Sequence, residues 1–134
     1  MKLTTRSEYA LLALVYLARQ ADTAAFVSVE TIATAQGMPR KFLELLMLTM
    51  KRARYVASSK GQRGGFRLAK PAERITLAEI IRLFDGALAP TESASKYFYE
   101  PTPVEKERRL LRVFKDIRDA VARTLEHTSI ADVA

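Results

Sequence analysis

Residues 58–70 read SSKGQRGGFRLAK. Three glycines and four cations lie in these thirteen residues, between runs that favour strands. Such a loop can cradle a nucleotide phosphate in an enzyme, or it can be a hairpin tip laid on a nucleic-acid backbone. The phosphate reading fails on spacing. A G-x-x-x-x-G-K-[ST] loop needs Lys and then Ser or Thr after its last glycine, and here Phe66 follows Gly65. The G-x-G-x-x-G fingerprint is missing too, because the glycines fall at 61, 64 and 65. Both motifs open a helix whose first amides hold the anion, whereas FRLAK reads as a strand that ends at Pro71. As a hairpin the stretch is coherent. Gly64 and Gly65 permit positive φ and a close backbone approach to another surface. Lys60, Arg63 and Arg67 bring positive charge suited to the narrow minor groove of DNA. The plain alternative is a solvated hairpin with a basic tip.

Working back from the hairpin, PRKFLELLMLTMKRA predicts a helix over 39–53, with Pro39 at its first position. Phe42, Leu43, Leu46, Met47 and Met50 make its inward stripe, leaving Arg40, Lys41 and Glu44 toward solvent. Before it, Ser28 can cap VETIATAQ, which stops at Gly37, a residue suited to the left-handed turn after a helix. Two helices across a tight turn give a helix-turn-helix outline. The chain begins with TTRSEYALLALVYLARQ, where Thr5 and Glu8 have capping-box spacing and predict a helix over 5–20. Its nearly continuous apolar positions place that helix centrally. Residues 21–27 read as a loop with a short strand at Phe26–Val27.

Working forward, ITLAEIIRLFDG offers Thr76 and Glu79 as a second capping box and Gly86 as a stop. Three helices followed by a hairpin is the order of a winged helix-turn-helix domain. The expected fold class is therefore mainly α with a small β-hairpin. Residues 87–103 are a looser segment holding Tyr97, Phe98 and Tyr99. A long amphipathic helix over about 103–126 follows, in which Leu110, Phe114, Ile117, Val121 and Leu125 form a narrow stripe. Such a stripe covers its own domain or packs on a partner helix, and its length favours a dimer interface. The expected division is a winged domain over 1–86 and, over 87–134, a loop, a dimerisation helix and a terminal turn.

Charge supports a polyanionic partner. Of the net +7, residues 1–70 carry 12 Lys/Arg against 4 Asp/Glu, and residues 71–134 carry 10 against 11. There is no cysteine, which excludes disulfides, thiolate catalysis and cysteine-held metal. Lys2 and Arg6 before the apolar run Tyr9–Ala18 imitate a signal peptide, but Glu8 and Arg19 bound that run and it is too short to span a membrane. A buried helix in a cytoplasmic protein is the expectation.

At the start of the third helix, Arg40 and Lys41 can meet guanine edges or phosphates, and Glu44 can accept from a cytosine amino group. Glu44 can equally pair with Arg40 or Lys41 at helical spacing. Thr4, Thr5 and Arg6, with the amides of the first helix, suit phosphate, and for Thr5 capping is part of the role. No catalytic set can be assembled around His127, the single histidine. No enzyme, metal or cofactor is expected.

The phrases KLTTRSEYALLALVYLA, VSVETIATAQGMPRKFLELLMLTMKRARYV and KGQRGGFRLAKPAERITLAEIIRLFDG, together with the ending LEHTSIADV, resemble the Rrf2 family of bacterial winged-helix transcription regulators. The resemblance covers essentially the full length. It implies a homodimer joined by the long helix, with Arg40, Lys41 and Glu44 at positions that read the major groove and Lys60 directed at the minor groove. Two departures stand out. Family members often have Ser or Thr where this chain has Pro39 and Arg40, so operator preference can differ. Many members hold an iron–sulfur cluster on three cysteines between the fourth and fifth helices, and here that segment has none. The expectation is a homodimeric DNA-binding regulator, a repressor on a near-palindromic operator, without a cluster. The competing class is a winged-helix module that binds protein. The signal input stays open between a small molecule beside Phe84, Tyr97, Phe98 and Tyr99, a protein partner, and none. The aromatic trio can equally anchor its loop.

Overall fold

The computed structural model describes residues 2–23 and 25–134. Its elements follow the expected order: α1 (Thr5–Arg19), α2 (Val29–Gln36), α3 (Arg40–Arg52), β1 (Val56–Ser59), β2 (Gly65–Leu68), α4 (Leu77–Asp85), α5 (Arg108–Glu126) and α6 (Ile130–Val133). None of the described helices is long and apolar enough to cross a membrane.

The start of α1 corrects the sequence reading by one residue. Thr4, not Thr5, is the N-cap, and its hydroxyl accepts from the Ser7 amide at 3.3 Å. Glu8 then falls one position too late to close a capping box, which needs its acid at the third helical residue. Asp85, at the end of α4, supplies the missing half by accepting from the Thr4 amide at 3.1 Å. The caps of α2 and α4 follow the sequence. Ser28 caps α2 through the Thr31 amide, and Gly37 ends it at φ 69°. Thr76 and Glu79 form a complete box on α4.

Helix α3 begins at Arg40, with Pro39 as its extended N-cap rather than its first helical residue. Leu43, Leu46, Met47 and Met50 are buried, and Phe42 meets Tyr9 edge-on at 5.6 Å between ring centres. Arg54, left-handed at φ 67°, turns the chain toward β1. That turn lets the Tyr55 amide donate back to the Met50 carbonyl at 2.9 Å.

The hairpin pairs Val56 with Leu68 through to Ser59 with Gly65. Positive φ occurs at Gly61 (102°) and Gly65 (147°), and Gly64 is not among the positive-φ glycines. The close approach is internal to the fold, against the expectation of an outside surface. A Cβ on Gly65 would fall 2.1 Å from the Val27 carbonyl oxygen, and one on Gly64 would fall 2.4 Å from that of Ser59. Val27 and Phe66 exchange two backbone hydrogen bonds of 2.8 Å, so the strand expected at Phe26–Val27 is one bridge to the hairpin.

The main core joins Ala10, Ala13 and Leu14 of α1, Ile32 of α2, the α3 stripe and Ile80 of α4. Ile130 of α6, fully buried, belongs to the same core. It is drawn in by hydrogen bonds from its amide to the Ile75 carbonyl at 2.8 Å and from the Leu77 amide to the Thr128 carbonyl at 2.9 Å. A smaller core of Ala78, Ile81 and Leu88 takes Val121 and Leu125 of α5.

The long helix starts later than the sequence reading placed it. Residues 103–106 make a separate 3-10 turn, and Glu107 leaves helical geometry at φ −104°, ψ 84° before α5 begins. No residue of α5 is fully buried.

Candidate nucleic-acid interface

Arg40 and Lys41 are exposed at the start of α3, whose buried residues are Leu43, Leu46, Met47 and Met50, while Leu45 and Leu48 share the exposed side with Lys41. The Arg40 Nε atom donates to Glu44 Oε1 at 3.2 Å, and its guanidinium lies 3.7 Å from Glu30 of α2. Both pairs are solvent-exposed, so each is worth at most about 1 kcal/mol and yields readily to another anion. The pairing of Glu44 with Arg40, one of the two roles open to it in the sequence, is the arrangement of the chain by itself. Lys41, Lys60 and Arg63 form no ion pair among the described residues.

Lys60, Gly61, Gln62 and Arg63 are all exposed at the hairpin tip. Arg63, Gln62 and Gly64 line a shallow hollow of about 690 Å³ with Ser28 and Thr31 from the start of α2. Glu30, one residue before Thr31, reaches Arg40. The first turn of α2 thus stands between the hairpin and the start of α3. Arg67 does not join the tip, because its guanidinium lies 4.5 Å from the centre of the Phe26 ring.

At the start of α1, Thr5 and Arg6 are exposed, with Arg6 5.3 Å from the centre of the Phe84 ring. Thr4 is engaged, since Asp85 accepts from both its amide and its hydroxyl. Burial alone would push the Asp85 carboxyl up. Hydrogen bonds from Thr4 and the charge of Arg6 outweigh it and hold the carboxyl below its ordinary value. Sequence reasoning missed Asp85, which looks like any surface acid before a helix-stopping glycine.

The residues grouped as an effector pocket separate. Tyr97 and Phe98 line a hollow of about 310 Å³ against α4 and α5, with Arg82, Arg118 and Glu126 also in its wall. Phe84 lies instead against Arg6 and the main core. Tyr99 turns to Glu105, to which its hydroxyl donates. Of the α5 stripe, Val121 and Leu125 pack on α4, while Leu110 (45%) and Ile117 (44%) stay exposed with Val113 (51%), which the sequence reading left out. Phe114 is half-buried.

The Rrf2 family model, described as "Iron-dependent Transcriptional regulator", matches residues 3–134. The chain belongs to the Rrf2 family. It is 29% identical over 134 residues to the HTH-type transcriptional regulator CymR of Bacillus subtilis, covering all of this chain and 90% of CymR. It is 35% identical over 120 residues to a Rhodobacter capsulatus protein named as an rrf2-like HTH-type regulator, covering 86% of this chain and 80% of that one. In structure it is similar to CymR, the global cysteine regulator of B. subtilis, with a TM-score of 0.78 at 28% identity over 100% of this chain and 96% of the other. The corresponding values for T. potens IscR are 0.74 and 26%, over 99% and 85%. The chain is a winged-helix, DNA-binding transcriptional regulator and not an enzyme.

Iron does not fit this Rrf2 chain's donors. There is no cysteine in 134 residues. The Nδ1 atom of His127, the single histidine, lies 2.7 Å from the Arg123 carbonyl. Among the described residues no group of three or more His, Cys, Asp or Glu could hold a metal ion.

Proposed function

We propose that this protein is a homodimeric repressor in the cytoplasm that binds a near-palindromic operator without an iron–sulfur cluster. The observation that carries the reading is the placement of Arg40 and Lys41 at the exposed start of α3, linked through the first turn of α2 to the cationic hairpin tip. In this reading α3 enters the major groove, where Arg40 and Lys41 meet guanine edges or phosphate. Glu44 exchanges Arg40 for a cytosine amino group, and Lys60 enters the minor groove. Thr5 and Arg6 hold backbone phosphate beside α1. Two copies joined along α5 place their recognition helices about 34 Å apart, one turn of DNA. The exposed apolar residues of α5 support this joining. The stripe Leu110, Phe114, Ile117, Val121 and Leu125, with Val113, then divides between the chain's own α4 and the second copy. The winged unit (1–86) reads DNA, and the remainder (87–134) joins the copies and receives the signal.

The test is fluorescence anisotropy on the duplex upstream of the protein's own gene, measured across salt. The expected result is a linear fall of log affinity with log salt, with a slope of about −0.9 per phosphate neutralised, and a preferred site that survives competitor DNA. Affinity no better than for random duplex overturns the reading.

A further inference from the structure

The hollow beside Tyr97 carries more positive charge than its own wall neutralises. It is closed by α4, by the loop over residues 95–98 and by the second half of α5. Arg82 spends its charge on Glu126 at 2.6 Å, and Arg118 on Asp119 at 2.7 Å. Two further lining cations, Lys96 and Arg123, form no ion pair among the described residues. Lys96 also helps to keep the Glu126 carboxylate charged, yet four cations face two carboxylates in this lining, and an anion bound there offsets the excess positive charge.

The wall is also fixed before anything binds. Arg118 donates to the Ala94 carbonyl at 3.0 Å, and Ser95 Oγ accepts from the Phe98 amide at 2.9 Å, so the loop is tied to α5 and to itself. Arg82 and Lys96 lie 4.9 Å and 5.2 Å from the centre of the Tyr97 ring. Cations held against a ring keep their heads near an apolar surface. The volume of about 310 Å³ sits at the small end of the range of about 300–1,000 Å³ for ligand pockets. Cations beside an exposed aromatic face describe an occupant with a charged group and a flat apolar body.

We propose that this hollow binds a small organic anion carrying an aromatic ring, its charge held by Lys96 and Arg123 and its ring set beside Tyr97 and Phe98. The site deepens the reading of residues 87–134 as the signal input and rests on it.

The experiment titrates the full chain, without DNA, with phenyl phosphate in a calorimeter. Saturable binding is expected at millimolar ligand or below. Lys96→Gln and Arg123→Gln should each weaken it about tenfold, and Lys96→Arg should retain it. Benzyl alcohol, a ring without charge, should give no saturable heat, and inorganic phosphate should bind more weakly than phenyl phosphate. The site is overturned by a wild-type chain that does not saturate. It is equally overturned by binding that survives both glutamine variants, or by binding that is lost in Lys60→Gln and so belongs to the DNA face. Duplex affinity of the same preparations, read by anisotropy, separates the two ideas. No ligand with intact duplex binding removes the site alone, whereas no duplex binding by the wild type removes the regulator reading.

Discussion

Asp85 completes the cap of a helix that starts eighty residues earlier in the chain. Its carboxylate accepts from the amide and the hydroxyl of Thr4, the N-cap of α1. A negative group there also faces the positive end of the helix dipole. Because the folded carboxyl is held below its ordinary value, its contribution is full above that value and is lost as pH falls through the folded one. Asp85→Asn should cost about 1 kcal/mol at neutral pH, as for a partly exposed charge-assisted hydrogen bond. The gap to wild type should close in thermal melts as pH falls below the ordinary carboxylate value and through the lowered one, and a gap independent of pH would rule out the carboxylate as its cause.

Gly65 and Gly61 both have positive φ but differ in space. A methyl group at 65 meets the Val27 carbonyl carbon and oxygen, whereas at 61 nothing lies within 4 Å. Gly61→Ala should therefore cost about 1 kcal/mol of backbone strain. Gly65→Ala should cost several-fold more by parting the hairpin from Val27. Urea midpoints of the two variants, compared with wild type, give the order directly.

Ile130 ties the end of the chain into the main core. Ile130→Ala should destabilise by about 2–5 kcal/mol, the range for a buried aliphatic cut to alanine. A denaturation midpoint within error of wild type would mean that α6 frays without consequence.

On α5, Ile117 is exposed in the single chain and buried at the interface in the proposed dimer. Ile117→Asp should leave the far-ultraviolet dichroism of the fold intact while halving the sedimenting mass. A variant that remains dimeric moves the interface elsewhere.

Arg40→Ala and Lys60→Ala separate sequence reading from groove anchoring. Arg40→Ala should relax base preference by about 1–3 kcal/mol if it makes a bidentate base contact. Lys60→Ala should weaken the preferred site more than random duplex if its role is in a narrow A·T-rich groove. Competition anisotropy on variant operators reads both, and unchanged discrimination in Arg40→Ala removes it from the reading set.

The sequence made legible what local chemistry decides. Thr76 with Glu79, Ser28, Gly37 and the stripe from Leu43 to Met50 each announce a cap, a stop or a face, and the fold class follows from their order. What stayed hidden depends on distant partners. Nothing near Thr4 reveals Asp85, so the local pattern of Thr5 and Glu8 points one residue too far along. Arg54 carries no sign of its left-handed turn, because its φ is set by closure of α3 onto β1. Pro103 and Glu107 looked like the start of a long helix, and only their backbone angles separate that turn from α5. The cations of the proposed DNA-facing surface are readable as types in a pattern. Those around Tyr97 are not, since Arg82, Lys96, Arg118 and Arg123 meet only once α4, the loop and α5 have packed.

The paired hydrogen bonds between Val27 and Phe66 bear on more than the hairpin's shape. They fasten the wing to the residue just before the helix-turn-helix, so the tip is not a loose arm that must be ordered when a ligand arrives. The conformational entropy of that segment is surrendered during folding. Association then loses little further freedom there. In the proposed complex, where the tip makes few contacts, a stiff mount lets those few discriminate between grooves of different width.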